Sequence, residues 1–272
     1  RAGVVTGPCR RAAGRRGMAA SSQVLASEAG FEVLREGGTA ADACVAMDAV
    51  LHVTEPTSTG LGGDMFALHY DGATGRITAL NGSGRAPRAL SLDLLRQQGL
   101  AELHRSHGHT VTVPGVCAGW FDLVERHGSM PVSRLLAPAI RLAGEGFPVG
   151  PVTAAAWERG FAQLHSPELA IAGRAPRAGE VFRNPGLARA LCAIAEGGRD
   201  AFYLGDIARG IVAAVERAGG AMTLEDLAAH ESTWEEPIGT TYRGIGVWEC
   251  PPNGQGLAAL LALNLLEGQI GR

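Results

Sequence analysis

From Val24 to Leu34 apolar residues recur at helical spacing (Val24, Leu25, Ala29, Val33, Leu34) and stop at Gly37-Gly38. With Ser21 or Ser22 as N-cap, this predicts a first helix. A second, from about Thr39 to His52, is rich in Ala and carries Val45, Met47, Val50 and Leu51; its small residues suit close packing on a neighbour. EPTSTGLGGD then breaks all periodicity and opens into the strand-like DMFALHYD, a GATG turn and a second strand, RITALNG. These two runs predict a hairpin. From about Leu90 the pattern turns helical through SLDLLRQQ, GVCAGWFDLVERHG, VSRLLAPAIRLAGEG, PVTAAAWERGFAQLH, NPGLARALCAIAEGG and AFYLGDIARGIVAAVERAGG. Near the end PIGTTYRGIGVWECPP reads as two short strands around Arg243-Gly244, followed by a helix from Gly256 to Glu267. With no repeat, low-complexity tract or Ser/Pro linker, the reading is one helix-rich α+β domain.

Composition narrows the function. The chain has 272 residues, 46% of them hydrophobic and 19% charged, which is globular rather than disordered. Its formal charge is −3, and all 24 basic residues are Arg. That balance offers no electrostatic footprint for nucleic acid, and the lack of Lys removes any mechanism that needs a lysine of this chain. The longest apolar stretch, Leu257 to Leu266, is interrupted by Asn264 and too short to span a membrane. Five scattered cysteines, with no CxxC pair, read as reduced and mostly core; Cys44 and Cys117 are expected to be buried and inert. His104, His107 and His109 crowd one polar, Gly-containing loop, but no carboxylate or thiol completes a ligand set, so a surface loop is expected and no metal or cofactor. The Arg-rich start lacks the apolar run of a secretory signal, which leaves the compartment open.

Taken in order, the stretch GMAASSQVLASEAGFEVLREGGTAADACVAMDAVLHVTEPTSTGLGGDMFALHYD resembles the start of the gamma-glutamyltranspeptidase family. The likeness continues through VPGVCAGWFDLVERHGSMP, LLAPAIRLAGEGFPV, AFYLGDIARGIVAAVERAGGAMTLEDLAAHE and YRGIGVWECPPNGQGLAALLALNLLEG, from Gly17 to Gly268. The resemblance implies part of an N-terminal-nucleophile hydrolase αββα sandwich, its helix-rich large-subunit portion. It also implies a precursor that cleaves itself, so that a new N-terminal Thr of the small subunit becomes the nucleophile and its own amine the base. In the family that Thr lies in a Thr-Thr-His or similar motif beyond the PPNGQG-like segment. Thr240-Thr241 precede that segment and read as structural, so no nucleophile can be named in this chain. Residues 1–16 read as an N-terminal extension expected to be disordered, and 17–272 as a large-subunit portion that stops before the autoprocessing site. The partner implied is the small-subunit portion of the same precursor. Leu257, Leu260, Leu261 and Leu265 of the final helix are expected to be exposed without it, making the isolated chain poorly soluble.

The family's large subunit contributes an Arg shortly before an Ala-Pro pair, which grips the α-carboxylate of a γ-glutamyl group; planar guanidinium suits a carboxylate. Aligning Ala86-Pro87 with that pair puts Ser83 where the Arg would be, with Arg85 two positions later. In an extended segment a shift of two keeps a side chain on the same face, about 7 Å along. Arg85, with Ser83 as a weaker hydrogen-bonding partner, is the candidate acyl-binding residue. Gly62, Gly63 and Asp64 form a candidate active-site loop in which Asp64 is expected to cap the loop rather than act as an acid. The expected reaction is gamma-glutamyltranspeptidase-like amide hydrolysis or acyl transfer. A divergent amidohydrolase of a small acidic amide, oxamate-like or glutaryl-type, is the alternative, since GSGRAP and PPNGQG look like that branch; a non-catalytic scaffold is the second.

Overall fold

A computed structural model describes residues 12–163 and 166–269. Helix α1 (Val24–Arg35) lies against α2 (Ala40–Thr54), α2 against α5 (Val132–Glu145), and α5 against α7 (Pro185–Tyr203). The Ala-rich sequence of α2 explains its central place: Ala41, Ala43, Val45, Ala46, Ala49, Val50 and Val53 are all buried. Its start is a capping box, in which Thr39 Oγ1 accepts the Asp42 N–H and the Asp42 carboxylate accepts the Thr39 N–H. The cap of α1 differs from expectation. Gln23 occupies it, accepting the Leu25 N–H at 2.8 Å, while Ser21 Oγ donates to the Gln23 carbonyl and Ser22 Oγ to Glu55.

The predicted hairpin forms from β1 (Met65–Tyr70) and β2 (Ile77–Gly82), with Leu68 opposite Ala79. A strand that periodicity did not reveal, β5 (Thr233–Glu235), pairs antiparallel with β2 and makes β2 the centre of a three-stranded sheet. Helix α4 (Val116–His127) packs between this sheet and the α2 and α7 helices, burying Trp120 fully. Around this frame stand α3 (Leu92–Gln97), the short pair β3 (Phe147–Pro148) and β4 (Val181–Phe182), α6 (Pro151–Gly160), α8 (Asp206–Arg217) and α9 (Leu224–Ala228). The expected late hairpin appears as β6 (Ile238–Tyr242) and β7 (Ile245–Glu249), and α10 (Gly256–Glu267) rests on it.

Three expectations need correction. Leu257, Leu261 and Leu265 of α10 are exposed, but Leu260 is buried, because the helix has packed one face on the β6–β7 hairpin. Cys117 is buried as expected, but Cys44 is exposed, because its turn of α2 faces an open cleft beside β1. His109 is buried too: its Nε2 pairs with Gln98 Oε1 at 2.8 Å and its ring stacks on His107, which ties the loop inward. Among the described residues no group of three or more His, Cys, Asp or Glu side chains could hold a metal ion. Among them, too, no helix is long and apolar enough to cross a membrane. Of the expected N-terminal extension, residues 1–11 lie outside the described residues.

Candidate acyl-binding site

Three loops that are remote in sequence converge at the top of α4. The Gly60–Asp64 turn, closed by Gly63 N–H to the Gly60 carbonyl at 2.9 Å, points the Gly63 carbonyl at the helix start, where the Gly115 and Val116 N–H groups both donate to it at 3.0 Å. Those amides are among the first-turn donors that a helix leaves unpaired. Asp64 then reaches across, its Oδ1 accepting the Gly84 N–H at 3.1 Å. One residue on, the Arg85 carbonyl accepts the Val113 N–H at 3.0 Å.

The crossing of 82–85 over 113–116 is so close that side chains are excluded. A Cβ on Gly84 would stand 1.5 Å from the Val113 carbonyl oxygen, and one on Gly115 1.9 Å from that of Gly82. Glycine is required here by approach rather than by turn geometry.

The predicted residues are brought together unequally. Gly63 and Asp64 are structural clamps, as expected of Asp64, while Gly62 faces open space. Ser83 is engaged on its own side of the loop: its Oγ donates to Asn81 Oδ1 at 2.7 Å and pairs with Asn253, whose Nδ2 donates back at 2.8 Å. Asn81 Nδ2 also donates to Asn253 Oδ1 at 3.2 Å. The Asn81 and Asn253 amides are participants that pattern reading missed. Each directly precedes a Gly, in LNGSG and PPNGQG, but they stand 172 positions apart and only the fold unites them. Arg85 is exposed, and among the described residues its guanidinium makes neither an ion pair nor a hydrogen bond. A planar guanidinium has the donor geometry to meet a carboxylate in a bidentate way.

Beside Asp64 runs a cleft of about 550 Å³, walled by α2 (Ala40, Cys44, Asp48) and by β1 (Phe66, Leu68, Tyr70). Asp48 accepts the Trp120 indole N–H at 2.7 Å. Desolvation by the walls, then the Asp48 carboxylate, pushes the Cys44 thiol above its ordinary range, which favours the protonated form. Cys117, buried beneath, is pushed up to about 12 by the same desolvation. Among the described residues the groups gathered here are a free guanidinium, two carboxamides, a hydroxyl and backbone amides, which are hydrogen-bonding groups, and the two nearby thiols are held protonated.

A family model described as gamma-glutamyltranspeptidase matches residues 26–270. The glutathione hydrolase-like YwrD proenzyme of Bacillus subtilis (strain 168) is 38% identical over 259 residues, which is 93% of this chain and 49% of that relative. The oxamate amidohydrolase proenzyme of Klebsiella pneumoniae subsp. pneumoniae is 35% identical over 263 residues, 92% of this chain and 49% of the relative. Among solved structures, the cephalosporin acylase from Bacillus halodurans matches with a TM-score of 0.84 at 41% identity, covering 97% of this chain and 53% of that one. The chain spans about half the length of the curated relatives it matches.

Proposed function

Because the chain belongs to the gamma-glutamyltranspeptidase family and shares the N-terminal-nucleophile hydrolase fold, we propose that residues 17–272 supply the large-subunit, acyl-binding portion of an amide hydrolase or acyltransferase. The nucleophile in this reading is an N-terminal Thr of a small-subunit portion. Its hydroxyl attacks the amide carbonyl while its own α-amine takes the proton. The tetrahedral intermediate collapses as the leaving amine takes up that proton, and the acyl-enzyme is released to water or to a second amine. This chain's task is orientation: Arg85 grips a carboxylate on the acyl group, and the Asp64–Gly84 and Val113–Arg85 bonds hold the loop that carries it. The single observation behind the reading is the guanidinium of Arg85, exposed and uncompensated among the described residues, on a doubly clamped backbone. Exposed apolar side chains on β1 (Phe66, Leu68, Tyr70) and α10 (Leu257, Leu261, Leu265) support a small-subunit partner.

In the complete precursor, Arg85→Ala is expected to lower kcat/KM for a glutaryl or γ-glutamyl anilide about 10- to 100-fold, the loss of a charge-assisted bidentate contact. Self-cleavage, followed on a gel, should be retained. An unchanged kcat/KM would remove Arg85 from the site.

A specific observation favours a second reading, a divergent acyl preference. Ser83 stands where the family's carboxylate-gripping Arg is expected, and its hydroxyl is already committed to Asn81 and Asn253. Turnover of oxamate or glutaryl amides without γ-glutamyl turnover would select this reading. Absence of self-cleavage would favour the scaffold instead.

A further inference from the structure

Helix α4 has no cap of its own. Its N-cap is Gly115, which makes no side-chain hydrogen bond and cannot be replaced by Ser, Thr or Asp, because any Cβ there meets the Gly82 carbonyl. The tight crossing that builds the site thereby forbids the ordinary way of ending a helix.

Three of the first-turn amides are satisfied from elsewhere. Gly63 takes the Gly115 and Val116 amides, and the phenol of Tyr203, at the end of α7, takes a third. Its oxygen accepts the Ala118 N–H at 3.1 Å and its O–H donates to the Pro114 carbonyl at 2.8 Å, so that one hydroxyl staples the loop to the helix across the N-cap. The phenol is buried at 3% exposure. Its ring meets Phe202 edge-on at 4.8 Å and stacks with His230 at 5.5 Å, and the Arg199 guanidinium lies 5.7 Å from its centroid. Arg199 is itself held by Asp122 at 3.3 Å and by the His230 carbonyl.

We propose that Tyr203 is a positioning residue for the acyl-binding site, acting through Pro114–Ala118 on the Gly63–Asp64 and Gly84–Arg85 loops. The proposal rests on the reading of Arg85 given above. A carboxylate grip depends on where the guanidinium is held, and a displacement of about 1 Å at a remote support can weaken an active site by orders of magnitude. Tyr203 touches neither substrate nor reacting atoms in this scheme; it sets where Arg85 stands.

The test uses the complete, processed protein as Tyr203→Phe, beside Leu191→Ala, a core change on the same helix, as a control for lost stability. Tyr203→Phe is expected to raise KM for the glutaryl anilide about tenfold with kcat within twofold. It should also speed amide hydrogen exchange at Gly84, Gly115 and Val116 by at least tenfold, and leave self-cleavage intact. An unchanged KM with unchanged exchange overturns the proposal, and so does an equal rise in KM and exchange in Leu191→Ala. If the parent protein turns over no acidic amide, the reading of Arg85 fails, and exchange at those three amides alone decides whether Tyr203 positions the loops. Should Tyr203→Phe not fold, 4-methoxyphenylalanine at position 203 keeps the ring and an acceptor oxygen but removes the O–H that Pro114 accepts. Faster exchange at Gly84 and Gly115 is then expected, and parent-like exchange overturns the proposal.

Discussion

At Gly84 the cost of a single methyl group can be read from geometry. Its Cβ would lie 1.5 Å from the Val113 carbonyl oxygen, so one of the two backbones must move, and the clamp on Arg85 moves with it. Gly84→Ala is expected to destabilise the complete precursor by about 2–4 kcal/mol. Gly62→Ala, which meets open space, should change stability by less than about 0.5 kcal/mol. Urea midpoints at constant m-value check the contrast, and equal losses would contradict it. Both glycines stand out in the sequence, in GLGGD and GSGRAP, yet nothing in either string says which is irreplaceable. That follows from the Val113 carbonyl, a contact 29 positions away that no local pattern encodes.

Helix α7 raises the same issue for an element. Its residues predict one helix in NPGLARALCAIAEGG and another over AFYLGDIARGIVAAVERAGG; the structure instead runs the first on through Ala201–Tyr203 to give α7, Pro185–Tyr203, and starts α8 separately at Asp206. The joint is Gly198, at φ 69° and ψ −159°, a conformation open almost only to glycine. Gly198→Ala is therefore expected to destabilise by about 1–3 kcal/mol. The substitution should also loosen the Tyr203 staple five residues on, and faster exchange of the Ala118 amide than in the parent is the corresponding readout. Helices α2, α4, α5 and α10 were legible because apolar side chains recur at their own period, whatever they pack on. Strand β5 was not: three residues, Thr233–Glu235, carry no period, and they become a strand only because β2 offers its free edge.

For the whole molecule, acid sensitivity follows from three histidines. Burial lowers the pKa of His52, His127 and His230 from the usual 6.5, opposed at His52 by Asp48 and reinforced at His230 by Arg199. At His127 the stacked His69, 3.7 Å away, and Arg126 push the same way. A histidine with a depressed folded pKa binds fewer protons folded than unfolded. Stability is thus full above about pH 6.5 and declines as pH falls through that value toward the folded pKa. A Tm that drops between pH 7.5 and 5.5 is the expected result, and a flat Tm over that window would contradict it. Further down, burial raises the pKa of Asp42, but N–H bonds from Thr39, Ser129 and Met130 and the Ser129 hydroxyl outweigh it and leave a net depression. Its contribution is present above the ordinary carboxylate pKa and is lost as pH falls through the depressed one.

Periodicity, composition and motif order by themselves determined the α+β class, most of the helices, both hairpins, the family, and the two regions, GLGGD and GSGRAP, that meet at the candidate site through Asp64 and Gly84. These are properties of short windows or of ordered strings, where each residue's own preference or spacing carries the information. Only the tertiary structure decided that Asp64 clamps Gly84, that Ser83 is held by Asn81 and Asn253, that Arg85 stands unpaired among the described residues, and that Tyr203 completes a helix whose own cap is forbidden. The physical reason is that a hydrogen bond reaches about 3 Å through space and takes no account of separation along the chain. What a polar side chain does is therefore settled by whatever the fold brings within that reach.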